Sequence, residues 1–286
     1  MSEPLRTTPH HVVAHPATPP VDRKTWELVQ RFMERNCGVV VRDDQIYLLA
    51  SRLAPVVRRL NYHTIADLVV AACASPSGSA AALAVIDAMT THETYFFRDP
   101  PFWKYVEETV LPRLVSRLTG GRALRIWSAA CSTGQEPYSL AMLIDERFPE
   151  FTPRLEIVAT DVSDLTLKRA RERIFSPLEV NRGLGAARLV KHFSQVPGGF
   201  RISDRLRTRI TWRSHNLLAP NPDPMERDLV LCRNVLIYFG DTDRAAVVRR
   251  LIRSVAPAGY LGVGTSEALR GRAVAPGLYE KEALAA

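Results

Sequence analysis

The stretch Trp127–Leu140, WSAACSTGQEPYSL, decides the fold. It is entered from a short apolar run, Ala123–Trp127 (ALRIW), that reads as a strand. A loop of small residues with one glycine, Gly134, and one acid, Glu136, follows. A helix then opens at Pro137, a first-turn position where the missing N–H costs nothing. Small side chains let a backbone approach a ligand closely. A strand, a glycine and a helix would suit a purely structural turn equally well, so a second anchor is needed. Asp161 supplies it: it follows the next apolar run, Leu155–Ala159 (LEIVA), 27 residues after Gly134. An acid at the end of that strand can take both hydroxyls of a ribose. The chain has no G-x-G-x-x-G and no G-K-[ST] to cradle phosphates, so the pair favours an adenosyl ligand over a phosphate-bearing one.

Outward from this unit the alternation continues. A helix is expected from about Ser163 to Arg173, a strand at Asp228–Cys232 (DLVLC), a helix from about Asp241 to Val255 and a strand at Gly259–Gly264 (GYLGVG). Alternating β and α units predict an α/β fold with a doubly wound, mostly parallel sheet and a ligand outside its C-terminal strand ends. After a helix near Ala186–Phe193, two short strands at Phe200–Ile202 and Arg209–Arg213, with a turn at Pro197–Gly199, interrupt the alternation. They predict an inserted β-subdomain at about residues 194–214. Upstream, Lys24 to about Thr91 reads as four short helices. Trp26, Val29, Phe32 and Met33 recur at helical spacing, as do Ile46, Leu49, Leu53, Val56 and Val57. Asp43 and Asp44 suit a helix start, and Pro76–Gly78 separates the third helix from the fourth. A further helix-rich passage, Pro101–Leu118, links this region to the sheet. The expected division is a disordered Pro-rich leader at 1–22, an all-α domain at 23–95 and an α/β domain at 96–286.

The chain has 286 residues, 46% of them hydrophobic, enough for a full core. Its longest clean apolar run, Leu68–Ala74, falls far short of the roughly 20 residues of a spanning helix. Five prolines and no apolar h-region occupy the first twenty residues, so neither membrane insertion nor a signal peptide is expected and the location reads as cytoplasmic. The four cysteines lie far apart with no C-x-x-C, which predicts reduced, mostly buried thiols. His10, His11 and His15 have no acidic or Cys partners nearby, and no metal site is expected. The formal net charge of +8 invites a nucleic-acid reading. Position argues otherwise: residues 1–100 are neutral, whereas Lys168–Arg213 carries twelve basic and three acidic side chains, a net of +9.

Five motifs stand in a telling order: TTHETYFFRDP (Thr90–Pro100), WSAACSTGQEPYS (Trp127–Ser139), ATD (Ala159–Asp161), NLL (Asn216–Leu218) and CRNVLIYF (Cys232–Phe239). In them the chain, over roughly residues 21–280, resembles the chemotaxis receptor methyltransferases, the CheR family. The resemblance implies a Rossmann-like domain that binds S-adenosylmethionine, a small β-subdomain and an all-α N-terminal domain. It also implies methylation of glutamate side chains on the cytoplasmic helical bundle of chemoreceptors. Carried over to this sequence, it implies that His92, Thr94 and Arg98 line the cofactor pocket from the interdomain segment. Glu136 follows the glycine loop, Asp161 takes the ribose, and Asn216, Leu217, Arg233 and Asn234 complete the cofactor contacts. Arg98 and Tyr238 stand beside the transferred methyl. His92 replaces the Asn of many members, and Gly264-Thr265-Ser266-Glu267 replaces the more usual Gly-His-Ser-Glu. The short turn at Pro197–Gly199 suggests docking that does not depend on a receptor's C-terminal tail peptide.

A substrate glutamate, with a reference pKa of about 4.3, is already ionised at neutral pH and needs no general base. The burden falls on alignment and on excluding water. A nucleic-acid methyltransferase is the chemical rival. However, no [DN]-P-P-[FYW] loop follows the fourth strand, where Arg233-Asn234-Val235 stands instead, and no Pro-Cys nucleophile is present. A non-catalytic scaffold of the same fold is the second rival, and the full set of cofactor positions argues against it. The basic segment suits either docking of an acidic helical bundle or a merely solvated, arginine-rich face.

Overall fold

A computed structural model describes residues 22–221 and 225–284. The leader read at 1–22 lies outside the described residues except for Asp22, whose Oδ1 accepts the Thr25 N–H and caps the first helix. Four helices form the N-terminal domain: α1 (Arg23–Cys37), α2 (Tyr47–Arg59), α3 (Ile65–Ala74) and α4 (Ala80–Met89). The starts of α1, α3 and α4 each have a side-chain cap. Thr64 and Asp67 form a capping box on α3, Ser79 caps α4, and Asp43 accepts from the Trp26 indole and the Gln30 amide. Trp26, Val29, Met33, Leu49, Leu53, Leu68 and Val85 make one core, with Trp26 and Leu49 fully buried. Spacing of three and four residues along each helix puts these side chains on one stripe.

The linking passage holds α5 (Pro100–Tyr105) and α6 (Leu111–Ser116), joined by a turn of π-helix at Val106–Val110. Pro112 has no N–H for the preceding turn, and the helix widens just before it. The α/β domain follows: β1 (Leu124–Ala129), α7 (Gln135–Arg147), β2 (Leu155–Asp161), α8 (Asp164–Glu172), β3 (Ile174–Phe175), α9 (Pro177–Asn181), α10 (Ala186–His192), β4 (Phe193–Val196), β5 (Gly199–Ile202), α11 (Asp204–Arg207), β6 (Ile210–Ser214), β7 (Arg227–Cys232), α12 (Asp241–Ser254), β8 (Val255–Val263), β9 (Gly271–Ala275) and β10 (Leu278–Leu284). The large sheet runs β6-β2-β1-β7-β8-β10-β9, parallel through β8 and antiparallel at β10 and β9. Alternate residues of its central strands feed two cores. Ile126, Ile157, Leu229 and Leu231 face one, and Trp127, Val158, Val230 and Leu261 face the other. Strands covered on both faces read as continuous apolar runs.

Two expectations are corrected. α7 opens at Gln135, directly after Gly134, and Pro137 is its third residue. The inserted sheet is β3-β5-β4 and begins at Ile174, while Ile210–Ser214 is the edge strand of the large sheet, parallel to β2. A short edge strand buried on one side has the same alternating pattern as a ribbon strand, so the pattern alone does not assign it to a sheet.

The two domains are sewn together just past α1. Val39 bridges Phe239 in antiparallel fashion, and the Val40 N–H donates to the Tyr238 carbonyl at 2.8 Å. Gly38 makes this strap possible: its φ is +73°, and a Cβ there would stand 2.5 Å from Phe239 Cε1. Gly38→Ala should cost about 1–3 kcal/mol through the left-handed backbone and overpacking. Urea unfolding checks this, and an unchanged midpoint would remove the strap from the stability account.

Candidate active site

Three loops at the C-terminal ends of the central strands face the helical domain across one cavity. In register, Ala129 pairs with Thr160 on one side and Cys232 on the other, so the loops after β1, β2 and β7 leave the sheet at one level. This is where the strand order reverses, the expected ligand crevice. All ten residues singled out from the sequence lie on its wall: His92, Thr94, Arg98, Glu136, Asp161, Asn216, Leu217, Arg233, Asn234 and Tyr238. The helical domain contributes Gln45, Leu48, Arg52 and Met89.

Local geometry shows what each side chain has to offer. Asp161, 6% exposed, accepts the Ser132 N–H on Oδ2 at 2.8 Å and the Ser163 N–H on Oδ1 at 3.0 Å. Oδ2 is thereby held to the loop after β1 and Oδ1 to the loop after β2. Burial pushes its carboxyl above the usual aspartate range, and the two backbone N–H groups pull it back. Arg233, with its side chain 2% exposed, donates to Asp99 Oδ2 at 2.7 Å, to the Arg98 carbonyl at 2.8 Å and to Glu136 Oε2 at 3.2 Å. It also lies over the Phe102 ring, 4.2 Å from the centroid. Ser128 Oγ donates to the other Glu136 oxygen. Burial raises the Glu136 carboxyl, with Arg233 opposing. Ala130, Ser132 and Asn234 take positive φ of 57°, 50° and 59°, a strained backbone for side-chain-bearing residues, concentrated at one cavity.

Other expected residues are engaged elsewhere. His92 Nε2 stands 2.9 Å from the Asp87 carbonyl and 3.0 Å from Thr90 Oγ1, so its ring is turned onto the end of α4. The Asn216 amide donates to the Asn36 carbonyl, and its oxygen accepts the Leu218 N–H, so it ties the loop after β6 to α1. Arg98 donates to the Glu93 carbonyl at 2.8 Å, and Tyr238, half-buried, lines the same cavity. Cys131 and Cys232 are buried with thiols pushed up by burial, and Cys37 is raised to about 11; Cys73, by contrast, is exposed.

A sequence profile described as the CheR methyltransferase SAM-binding domain matches residues 92–278. The chain belongs to the CheR methyltransferase family. It is similar to chemotaxis protein methyltransferase 1 of Pseudomonas aeruginosa, 38% identical over 249 residues, 85% of this chain and 90% of that one. Chemotaxis protein methyltransferase Cher2 of Pseudomonas putida is 37% identical, over 86% of this chain and 90% of its own. A chemotaxis protein methyltransferase of Vibrio parahaemolyticus is 36% identical over 84% and 88%. The cofactor of this CheR-family chain is S-adenosylmethionine, and the residues present fit it. A buried acid with both oxygens oriented suits a ribose, and the loop after β1 brings only small side chains to the wall.

Two residues of the CheR-family site escape a reading of the sequence. Asp99 holds Arg233 from the interdomain segment, and Glu267 holds the loop after β7. Glu267 is fully buried and accepts three backbone N–H bonds, from Gly264 at 2.6 Å, Asn234 at 2.7 Å and Ile237 at 3.1 Å. It therefore brackets the turn that carries Arg233, Asn234 and Tyr238. An acid just past a strand end reads as a solvated loop residue; the one available signal is its place in Gly264-Thr265-Ser266-Glu267.

Two outcomes follow from this geometry. Glu267→Gln should lose about 1–3 kcal/mol of stability, because an amide turns one donor against those N–H groups; thermal unfolding measures it. If Asp161 takes the ribose, its ionised form accepts from the hydroxyls, so cofactor affinity should fall on acidification, and at a higher pH than for an ordinary aspartate because burial raises the carboxyl. Its own stability contribution runs the opposite way, since a raised carboxyl favours the protonated fold. Calorimetric titration of S-adenosylmethionine against pH tests this. Asp161→Asn should bind weakly with a flat profile, and wild-type affinity in that variant would end the ribose assignment.

Proposed function

We propose that this chain is a protein-glutamate O-methyltransferase. It transfers the methyl group of S-adenosylmethionine to glutamate side chains on the cytoplasmic helical bundle of chemoreceptors, giving methyl esters in sensory adaptation. The observation that supports the reading is that an oriented buried acid, Asp161, a guanidinium, Arg98, and a phenol, Tyr238, line one cavity. The names of its relatives support the chemotaxis setting.

The cofactor supplies a methyl group on a cationic sulfur; the O–CH₃ bond forms as the S–CH₃ bond breaks, and the electron pair leaves on sulfur. The protein's part is placement. The substrate carboxylate arrives ionised, so no side chain has to take its proton. Arg98 orients it by a charge-assisted pair, and its bond to the Glu93 carbonyl limits how tightly it grips, which spares the ground state. Tyr238 shares the positioning, held by its backbone contact with Val40. The strap after α1 and the end of α4 cover the cavity and exclude water.

The basic segment Lys168–Arg213 docks the receptor in this reading, but only part of it is available. Arg173 and Arg207 pair with Asp204, Arg188 with Glu146 and Arg205 with Asp145, while Arg209 donates to the Pro153 carbonyl. Lys168, Arg169, Lys191 and Arg201 are exposed and form the docking set. Among the described residues no helix is long and apolar enough to cross a membrane.

Methyl-labelled S-adenosylmethionine offered with a receptor cytoplasmic fragment and, separately, with RNA tests the proposal. Base-labile label on the receptor fragment is expected, with strong loss in Arg98→Ala. Label on RNA, or base-stable label on protein, would overturn it.

A further inference from the structure

A second guanidinium stands at the rim of the same cavity, and neither cofactor binding nor the Arg98 role uses it. Tyr95 carries an arginine on each of two approaches: Arg98 Cζ lies 5.7 Å from its ring centroid and Arg182 Cζ lies 4.3 Å from it. Both distances run to one centroid, so the two guanidiniums are at most about 10 Å apart. Glu93 serves both. Its carbonyl accepts from Arg98, and its Oε1 accepts from Arg182 Nη2 at 2.6 Å. Glu93, Tyr95 and Arg98 belong to the cavity wall; the side chains of Arg182 and Glu93 are 52% and 56% exposed.

The backbone under Arg182 is fixed. Gly183 has φ +85°, and a Cβ there would stand 1.9 Å from the Phe96 carbonyl oxygen, so the end of α9 rests directly on the interdomain segment. Ser176 and Glu179 form the capping box that starts α9. An arginine stationed on an aromatic face loses less freedom on binding than one on an open surface. Its pair with Glu93 is so exposed that it contributes little by itself. Glu93 is therefore a partner that another carboxylate can replace.

We propose that Arg182 is a substrate-recognition residue, taking a second side-chain carboxylate of the acidic polypeptide whose glutamate enters beside Arg98. Glu93 occupies the guanidinium until that carboxylate displaces it. The inference rests on the glutamate-methylation reading and adds a requirement to it: the substrate bears another acid close to the methylated one. On a helix, neighbours three or four positions apart have Cβ atoms roughly 5–6 Å from each other, which long acidic side chains extend to the span available here.

The test is steady-state methylation of a receptor cytoplasmic fragment, with S-adenosylmethionine affinity measured alongside. Arg182→Gln should raise KM for the fragment about three- to tenfold, with kcat and cofactor affinity retained. Glu93→Gln should move KM the other way, about two- to threefold lower, because the internal competitor is gone. A fragment with the acids flanking its methylated glutamates changed to glutamine should lose affinity for wild type but none further for Arg182→Gln. An unchanged KM in Arg182→Gln overturns the proposal alone. So does a raised KM in Glu93→Gln, which would make the pair a structural strut. If the wild type places no label on the fragment, the glutamate-methylation reading itself falls, and this inference with it.

Discussion

A buried guanidinium sets the terms for the whole site. Arg233 lies at the end of β7 in surroundings where an unpaired charge is prohibitive, and Asp99 and Glu136 meet it from two other segments. Removing one partner of such a pair typically costs about 3–5 kcal/mol, because the other charge stays buried. The loop after β7, the first turn of α7 and the segment between the domains are therefore fixed relative to one another. Arg98 follows from this arrangement, since its own carbonyl accepts from Arg233 and its side chain is left to face the cavity. Glu267 completes the frame by gathering three backbone N–H groups at the far side of the same turn.

The helical domain is joined to this frame by backbone and polar contacts. The Val39–Phe239 bridge, the Val40 bond to Tyr238, the Asn216 bond to Asn36 and the Ser163 bond to Asp87 all cross between the domains. Polar contacts of this kind can open and close at modest cost, unlike a continuous apolar core. That suits a site that must admit a cofactor and release it again. Ser163 has a double role: its hydroxyl caps α8 and meets Asp87, while its N–H orients Asp161.

Charge in this molecule is mostly wiring. The +9 excess of Lys168–Arg213 borrows Asp145 and Glu146 from outside the segment and fastens the inserted subdomain to α7. His192, 3% exposed, adds a bond to Glu146 at 2.8 Å. What remains exposed is a smaller set of cations around the subdomain and the cavity rim.

While the resemblance to the CheR family pointed to ten of the residues that line the cavity, the sequence by itself determined the fold class and the order of strand, loop and helix around WSAACSTGQEPYSL. It did so because strand and helix periods, small-residue loops and acids at strand ends are local features, written within a few positions of each other. Only the tertiary structure decided that Ile210–Ser214 joins the large sheet, since an edge strand's pattern does not name its neighbour. Only the tertiary structure showed that the Asn216 amide nitrogen and His92 Nε2 turn to the helical domain, and that Glu267 is a buried clamp. The same holds for Arg182, 84 residues from Arg98 in the chain yet on the same tyrosine. A side chain's partners depend on which distant backbone carries donors and acceptors past it, and that is settled only when the sheet closes against the helices.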